Sequence, residues 1–194
     1  MLGPAAAEAA AAVVVLHGRG HGGETMVPLV RALAREDVHF VIPSAANRTW
    51  YPDRFTAPTA ANEPWLSYAL DAVDTLVRRV ADAPRLVLLG FSQGACLTCE
   101  YVARNPRRYD GVAALTGGLI GTDDELTRPA SGFDGAPVLL TTSEADAWVP
   151  PERTRASAEI LAAAGADVDL RIHPPGPHVP RPDEIAATRA LIGG

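Results

Sequence analysis

One stretch narrows the possible folds more than any other. Leu86-Val87-Leu88-Leu89, an unbroken apolar run, ends abruptly in Gly90-Phe91-Ser92-Gln93-Gly94, and a helix-forming segment, Ala95 to Arg104, follows at once. A buried strand that turns straight into a helix forces the residue between them into a tight, strained conformation. Glycines two before and two after remove the side chains that would collide there. Ser92 is that residue, with its hydroxyl standing above the strand end and the next amide, that of Gln93, aimed at whatever the hydroxyl attacks. Gly-x-Ser-x-Gly alone is a weak signal, so the rest of the chain must supply the context.

Apolar runs recur with helical segments between them. Ala11-Ala12-Val13-Val14-Val15-Leu16 is apolar at every position, as in a strand covered on both faces of a parallel sheet. A helix from Glu24 or Thr25 to about Arg35 leads to a second strand, Val38–Ile42, closed by Pro43. Trp65 to Ala81 carries Leu66, Ala69, Leu70, Val73, Leu76, Val77 and Val80 on one helical face. Further strands are expected at Gly111–Leu115 and Pro137–Thr142, a helix at Glu152–Ala164, an alternating edge strand at Val168–Ile172, and a closing helix from Pro182 to Ile192. Strands that alternate with helices throughout imply an α/β fold, a mostly parallel sheet of about six strands with helices on both faces. At 194 residues the chain reads as a single domain, 1–194, without repeats or an inserted cap.

Ligands in such sheets sit beyond the carboxyl ends of the strands, so the loops there hold the candidate site. A serine needs a base to take its proton, and the base needs a third group to fix its tautomer and balance its charge. Asp146 lies in the loop after one late strand and His178 in the loop after the next, giving the chain order Ser, Asp, His. His173 is the rival base, but it continues the edge-strand alternation. Glu144 is the rival acid, but it sits too near the strand end to swing toward the histidine. Four glycines among the seven residues His17 to Gly23 leave bare amides after the first strand, and the amide of Arg19 pairs with that of Gln93 as an oxyanion donor. The Arg19 side chain is expected to be solvated. His17 and His21 lack the helix and the neighbouring glutamate of a zinc motif, so no metal and no cofactor are expected.

Between Ser44 and Pro64 the sequence has no sustained period, yet it carries Trp50, Tyr51 and Phe55. A loop of that length with aromatic residues reads as a wall or lid over a pocket. Trp50, Tyr51, Leu119, Ile120 and Trp148 are the expected pocket residues. Cys96 and Cys99 form a C-x-x-C inside the helix after Ser92, with no second pair to complete a metal site, and are expected as buried small residues. A net charge of −6 removes any general attraction to nucleic acid or anionic membranes. The Ala-rich start, Ala5 to Val15, lacks a basic flank and runs directly into the first strand, so it does not read as a signal peptide. A soluble cytoplasmic protein is expected, with a small-molecule ester as partner, no stable membrane insertion, and a homodimer left open.

Four separated motifs, Leu16-His17-Gly18-Arg19-Gly20, Gly90-Phe91-Ser92-Gln93-Gly94, Asp146-Ala147-Trp148-Val149-Pro150 and the His178 loop, resemble those of the phospholipase/carboxylesterase family of compact α/β-hydrolases. That family is related to the acyl-protein thioesterases. The resemblance spans nearly the whole chain and implies Ser92 as nucleophile, Asp146 and His178 as its partners, and the amides of Arg19 and Gln93 as the oxyanion hole. Thr49-Trp50-Tyr51-Pro52 with Asn62-Glu63-Pro64 is similar to the bacterial carboxylesterase branch. The sequence departs from the family pattern where Pro177 stands directly before His178, and where the acid loop begins Ser143-Glu144-Ala145. The implied activity is that of a serine carboxylesterase. A thioesterase or lysophospholipase with the same three residues, or a binding module that keeps the fold without hydrolysis, are the alternatives.

Overall fold

The computed structural model describes residues 1–194. Six strands, β1 (Ala11–Leu16), β2 (Val38–Val41), β3 (Leu86–Phe91), β4 (Gly111–Leu115), β5 (Pro137–Ser143) and β6 (Asp167–His173), pair in the order β2-β1-β3-β4-β5-β6. Every pairing is parallel. The apolar runs become the central strands because only residues hidden on both faces escape the need to alternate. Val13, Val14 and Val15 are each 0% exposed, and burying such a side chain stabilises the fold by about 1.5–3 kcal/mol. β6 closes one edge without a single fully buried residue, as its alternation predicts. At the other edge, Leu2 forms an antiparallel bridge with Phe40 of β2 and occupies part of an otherwise open strand.

Side chains of the sheet divide by parity. Ala12, Val14, Leu16, Leu88, Ala114 and Leu140 pack with α3 (Trp65–Arg79), α4 (Gln93–Arg104) and α5 (Pro151–Ala163). Val13, Val15, Leu89, Ala113, Leu115 and Leu139 pack with α1 (Val27–Ala32) and α6 (Pro182–Gly193). The first helix is shorter than its sequence suggests: Gly23–Met26 is a 3-10 turn and the α-helix begins only at Val27. Pro28 explains the delay, because proline fits the first turn of a helix but clashes with the preceding turn if placed further in. The Ser44–Pro64 connection contains a 3-10 turn at Ala46–Arg48 and a single helical turn, α2 (Thr59–Asn62). No helix is long and apolar enough to cross a membrane.

Strand order reverses between β1 and β3, which places a crevice at their carboxyl ends. Leu16 of β1 pairs with Gly90 of β3, so the glycine-rich loop and the Ser92 turn leave the sheet side by side. Ser143 of β5 pairs with His173 of β6, and the Glu144 amide donates to the His173 carbonyl at 2.9 Å, so the Asp146 and His178 loops also emerge together.

Candidate active site

Ser92 has φ 54° and ψ −118°, a backbone conformation that costs a non-glycine residue on the order of 1–3 kcal/mol. The surroundings enforce it. Its amide donates to the Leu115 carbonyl of β4 at 3.0 Å, and its carbonyl accepts from the Cys96 amide at 3.0 Å as α4 begins. The flanking glycines are required by contact: a Cβ on Gly90 would lie 2.2 Å from the Gly94 carbonyl oxygen, and one on Gly94 would lie 2.2 Å from that of Leu16.

His178 Nε2 lies 2.9 Å from Ser92 Oγ, and His178 Nδ1 lies 2.7 Å from Asp146 Oδ2. The other carboxylate oxygen of Asp146 accepts from the Trp148 and Val149 amides, both at 2.9 Å. Burial opposes ionisation of this carboxyl, but the His178 hydrogen bond and the two amides outweigh it and hold the carboxyl below its usual range. A carboxylate can only accept, so Nδ1 carries the imidazole proton and Nε2 faces the serine with its lone pair. Around His178 the Val179 amide donates to the Pro177 carbonyl at 2.9 Å, closing a tight turn. Pro177, the departure from the family pattern, is the residue whose carbonyl closes that turn. The ring also packs on Phe91, with centroids 5.2 Å apart.

The rivals are elsewhere. His173 Nε2 lies 3.2 Å from a carboxylate oxygen of Glu184, which is itself buried and accepts from the Arg181 amide. Glu144 is exposed and points no side-chain hydrogen bond at His178. The amides of Arg19 and Gln93 donate to no acceptor within the chain. Gly18, beside Arg19, approaches Ser92 so closely that a Cβ there would lie 3.4 Å from the serine Cβ.

Several side chains have duties that sequence reasoning missed. The Arg19 side chain is exposed, as expected, but its guanidinium also donates to the Pro52 carbonyl at 2.6 Å and to that of Asp53, and it lies over the Tyr51 ring. The Gln93 side chain accepts from the Trp50 amide at 3.0 Å and donates to the Tyr51 carbonyl at 2.8 Å, clasping the long loop as a neighbouring strand would. His17 is fully buried, its Nε2 accepting from the Ala45 amide at 2.9 Å and its Nδ1 donating to the Gly18 carbonyl. Burial lowers its pKa, so it is a neutral strut under the loop. Trp50 stacks against it and donates Nε1–H to its carbonyl at 2.9 Å. Such links join residues about thirty to forty positions apart, and no local pattern announces them.

The expected pocket residues divide. Leu119 and Ile120 are each 0% exposed within the core, where Arg153 holds the Leu119 and Gly121 carbonyls at 2.9 and 2.7 Å. Trp50 and Tyr51 are also buried, and they help line a 730 Å³ cavity between the long loop and α3 that neither Ser92 nor His178 lines. Trp148 is 68% exposed beside Asp146. The cavity that does reach His178 is a different one, of 420 Å³, against α1 and α6. Cys96 and Cys99 are free and buried, and burial pushes the Cys96 thiol up to about 12.

A serine on a strained strand-to-helix turn at the switch point of a six-stranded parallel sheet defines an α/β-hydrolase. The chain belongs to the Phospholipase/Carboxylesterase family, whose model matches residues 3–192. Among curated proteins it is similar to acyl-protein thioesterase 1 of Gibberella zeae, 24% identical over 97% of this chain and 92% of that one. Among solved structures it is similar to a phospholipase/carboxylesterase from Dyadobacter fermentans, with 37% identity, a TM-score of 0.90, and 99% and 94% of the two chains covered. A carboxylesterase from Mesorhizobium loti shares the fold at 24% identity and a TM-score of 0.73, with 98% and 92% covered. Membership of this family makes the protein a hydrolase of esters or thioesters.

Proposed function

We propose that the protein is a serine carboxylesterase that opens a small-molecule carboxylic ester through an acyl-Ser92 intermediate. The observation that carries this reading is the unbroken run of hydrogen-bond contacts from Ser92 Oγ to His178 Nε2, and from His178 Nδ1 to Asp146. His178 takes the hydroxyl proton as Oγ attacks the carbonyl carbon, and Asp146 stabilises the imidazolium that forms. The carbonyl oxygen becomes an oxyanion, for which the unpaired amides of Arg19 and Gln93 are ready donors. Collapse breaks the ester bond, and His178 returns its proton to the departing alcohol. Water, deprotonated by the same ring, then releases the acid and restores Ser92. The step consumes water alone, so no cofactor enters it. Two buried free thiols suit a reducing cytoplasm.

A thioester is the second reading, favoured by the acyl-protein thioesterase that this chain resembles over nearly its whole length. The test uses p-nitrophenyl acetate, a matched acetyl thioester and a fluorophosphonate probe, with the wild type and Ser92→Ala. The expected outcome is ester hydrolysis and covalent labelling in the wild type, and neither in the variant. Unlabelled wild-type protein, or a variant that retains activity, sinks the mechanism; a thioester turned over far faster than the ester favours the second reading.

A further inference from the structure

The groove that reaches His178 lies on one face of the sheet only. Leu29 and Ala32 of α1, Phe91, Val179 and Ile185 of α6 form its apolar wall, while Gly18 and the His178 ring open into it. No carboxylate and no guanidinium lines it, and His21 is its one other titratable side chain. Its 420 Å³ would accommodate a chain of several methylenes or one aromatic ring. On the opposite face, the residues that could have walled an acyl tunnel are packed: Tyr51 is 1% exposed, and Leu119 and Ile120 are 0% exposed. Arg153, Ser157 and Glu100 tie the backbone from Leu119 to Gly121 in place.

We infer that this groove holds the departing alcohol, and that the enzyme selects esters of short acids with extended apolar alcohols. The inference rests on the acyl-serine reading and adds a direction to it. In that reaction the ring that accepts the serine proton must deliver it to the leaving oxygen, so the departing group passes beside His178. The groove opens beside that ring. Absence of charge along its wall fits an uncharged alkyl or aryl alcohol and disfavours a zwitterionic headgroup, whose desolvation would go uncompensated. The acyl part then lies on the side away from the groove, where Leu119 and Ile120 are packed into the core and the 730 Å³ cavity beside Tyr51 is not lined by Ser92, which leaves a short chain as the expected acyl group.

Two ester series separate the ends of the substrate: acetates from methyl to hexyl alcohol, and methyl esters from acetate to hexanoate. In the wild type kcat/KM rises about twofold to fourfold per methylene along the alcohol series, as burial of each methylene implies, and stays flat or falls along the acyl series. Ala32→Phe adds bulk at an exposed wall position without entering the core, and Thr25→Phe does so at a second exposed position of the same groove. Either variant, folded by circular dichroism, flattens the alcohol series, so that the ratio of kcat/KM for hexyl acetate to that for methyl acetate falls to under twofold. Flattening of the acyl series instead, or no response in either series, overturns the inference while the acyl-serine chemistry stands. Failure to hydrolyse any member, with Ser92 unlabelled by fluorophosphonate, removes the underlying reading as well.

Discussion

Replacing Asp146 by asparagine tests the candidate site most sharply, because the surrounding backbone decides which way the new amide must face. In the native protein one carboxylate oxygen receives two amide protons, from Trp148 and Val149 at 2.9 Å each, and the other faces His178 Nδ1 at 2.7 Å. An asparagine that keeps its oxygen toward those amides turns its NH2 group toward the imidazole. Nδ1 must then accept, the ring proton moves to Nε2, and no lone pair remains to take the proton of Ser92. Where this tautomer error has been isolated in serine proteases, kcat falls by about 10⁴. The flipped amide would restore the tautomer but set NH2 against two N–H donors. That orphans both amides at roughly 2 kcal/mol or more for the pair, so flipped molecules are at most about one in thirty. The expected loss of kcat on an aryl acetate at neutral pH is therefore between about thirtyfold and 10⁴-fold, with unchanged circular dichroism. A folded variant that loses less than about tenfold refutes the assigned role of Asp146.

The same carboxyl links stability to pH. Its folded pKa is depressed, so its contribution is present above the usual carboxylate range, near 4, and disappears as pH falls through and below that range. Denaturation of wild type and Asp146→Asn at pH 7 and near pH 3 should show a gap between them that closes on acidification; a gap independent of pH contradicts this. Ser92→Gly should abolish hydrolysis yet raise stability by about 1 kcal/mol, since glycine adopts φ 54° freely, and a lower urea midpoint would count against stored strain. Gln93→Leu leaves the Trp50 amide and Tyr51 carbonyl without partners and should cost about 2–4 kcal/mol; a loss under about 0.5 kcal/mol would show the clasp to be incidental. Gly94→Ala drives a Cβ to 2.2 Å from the Leu16 carbonyl and should cost at least about 2 kcal/mol or prevent folding, which soluble yield and thermal unfolding would reveal.

The sheet was readable because burial on both faces leaves a strong linear mark: Val13–Val15 and Leu86–Leu89 have no polar interruption. That Ser92, Asp146 and His178 come together was readable for a related reason, since each stands in the loop after a strand and the parallel sheet collects those strand ends at one edge. What escaped was set by contacts between distant segments. Nothing near Leu119 or Ile120 in the sequence reveals that Arg153 and Glu100 draw their loop into the core. Likewise Arg19 is exposed, as its glycine-rich surroundings suggest, but nothing local shows that its acceptors sit at Pro52 and Asp53. Pro28 is the exception that could have been used, because its position within the supposed helix already marks where the α-helix can begin.

The three candidate groups do not depend equally on one another. Asp146 and His178 stand in the loops that follow adjacent strands, β5 and β6, whose paired ends are joined beyond the ladder by the Glu144 amide and the His173 carbonyl. The carboxylate is fixed by two amides of its own loop, and the His178 turn is closed by its own Val179–Pro177 hydrogen bond. Ser92 arrives from β3, beyond the intervening β4, and is fixed by Leu115 and Cys96. The base and its orienting acid are thus assembled without help from the serine, and the strained turn without help from the imidazole. Removing the serine hydroxyl should leave the imidazole where it is, still oriented by Asp146, so that loss of activity in Ser92→Ala measures the nucleophile and not a collapse of the site.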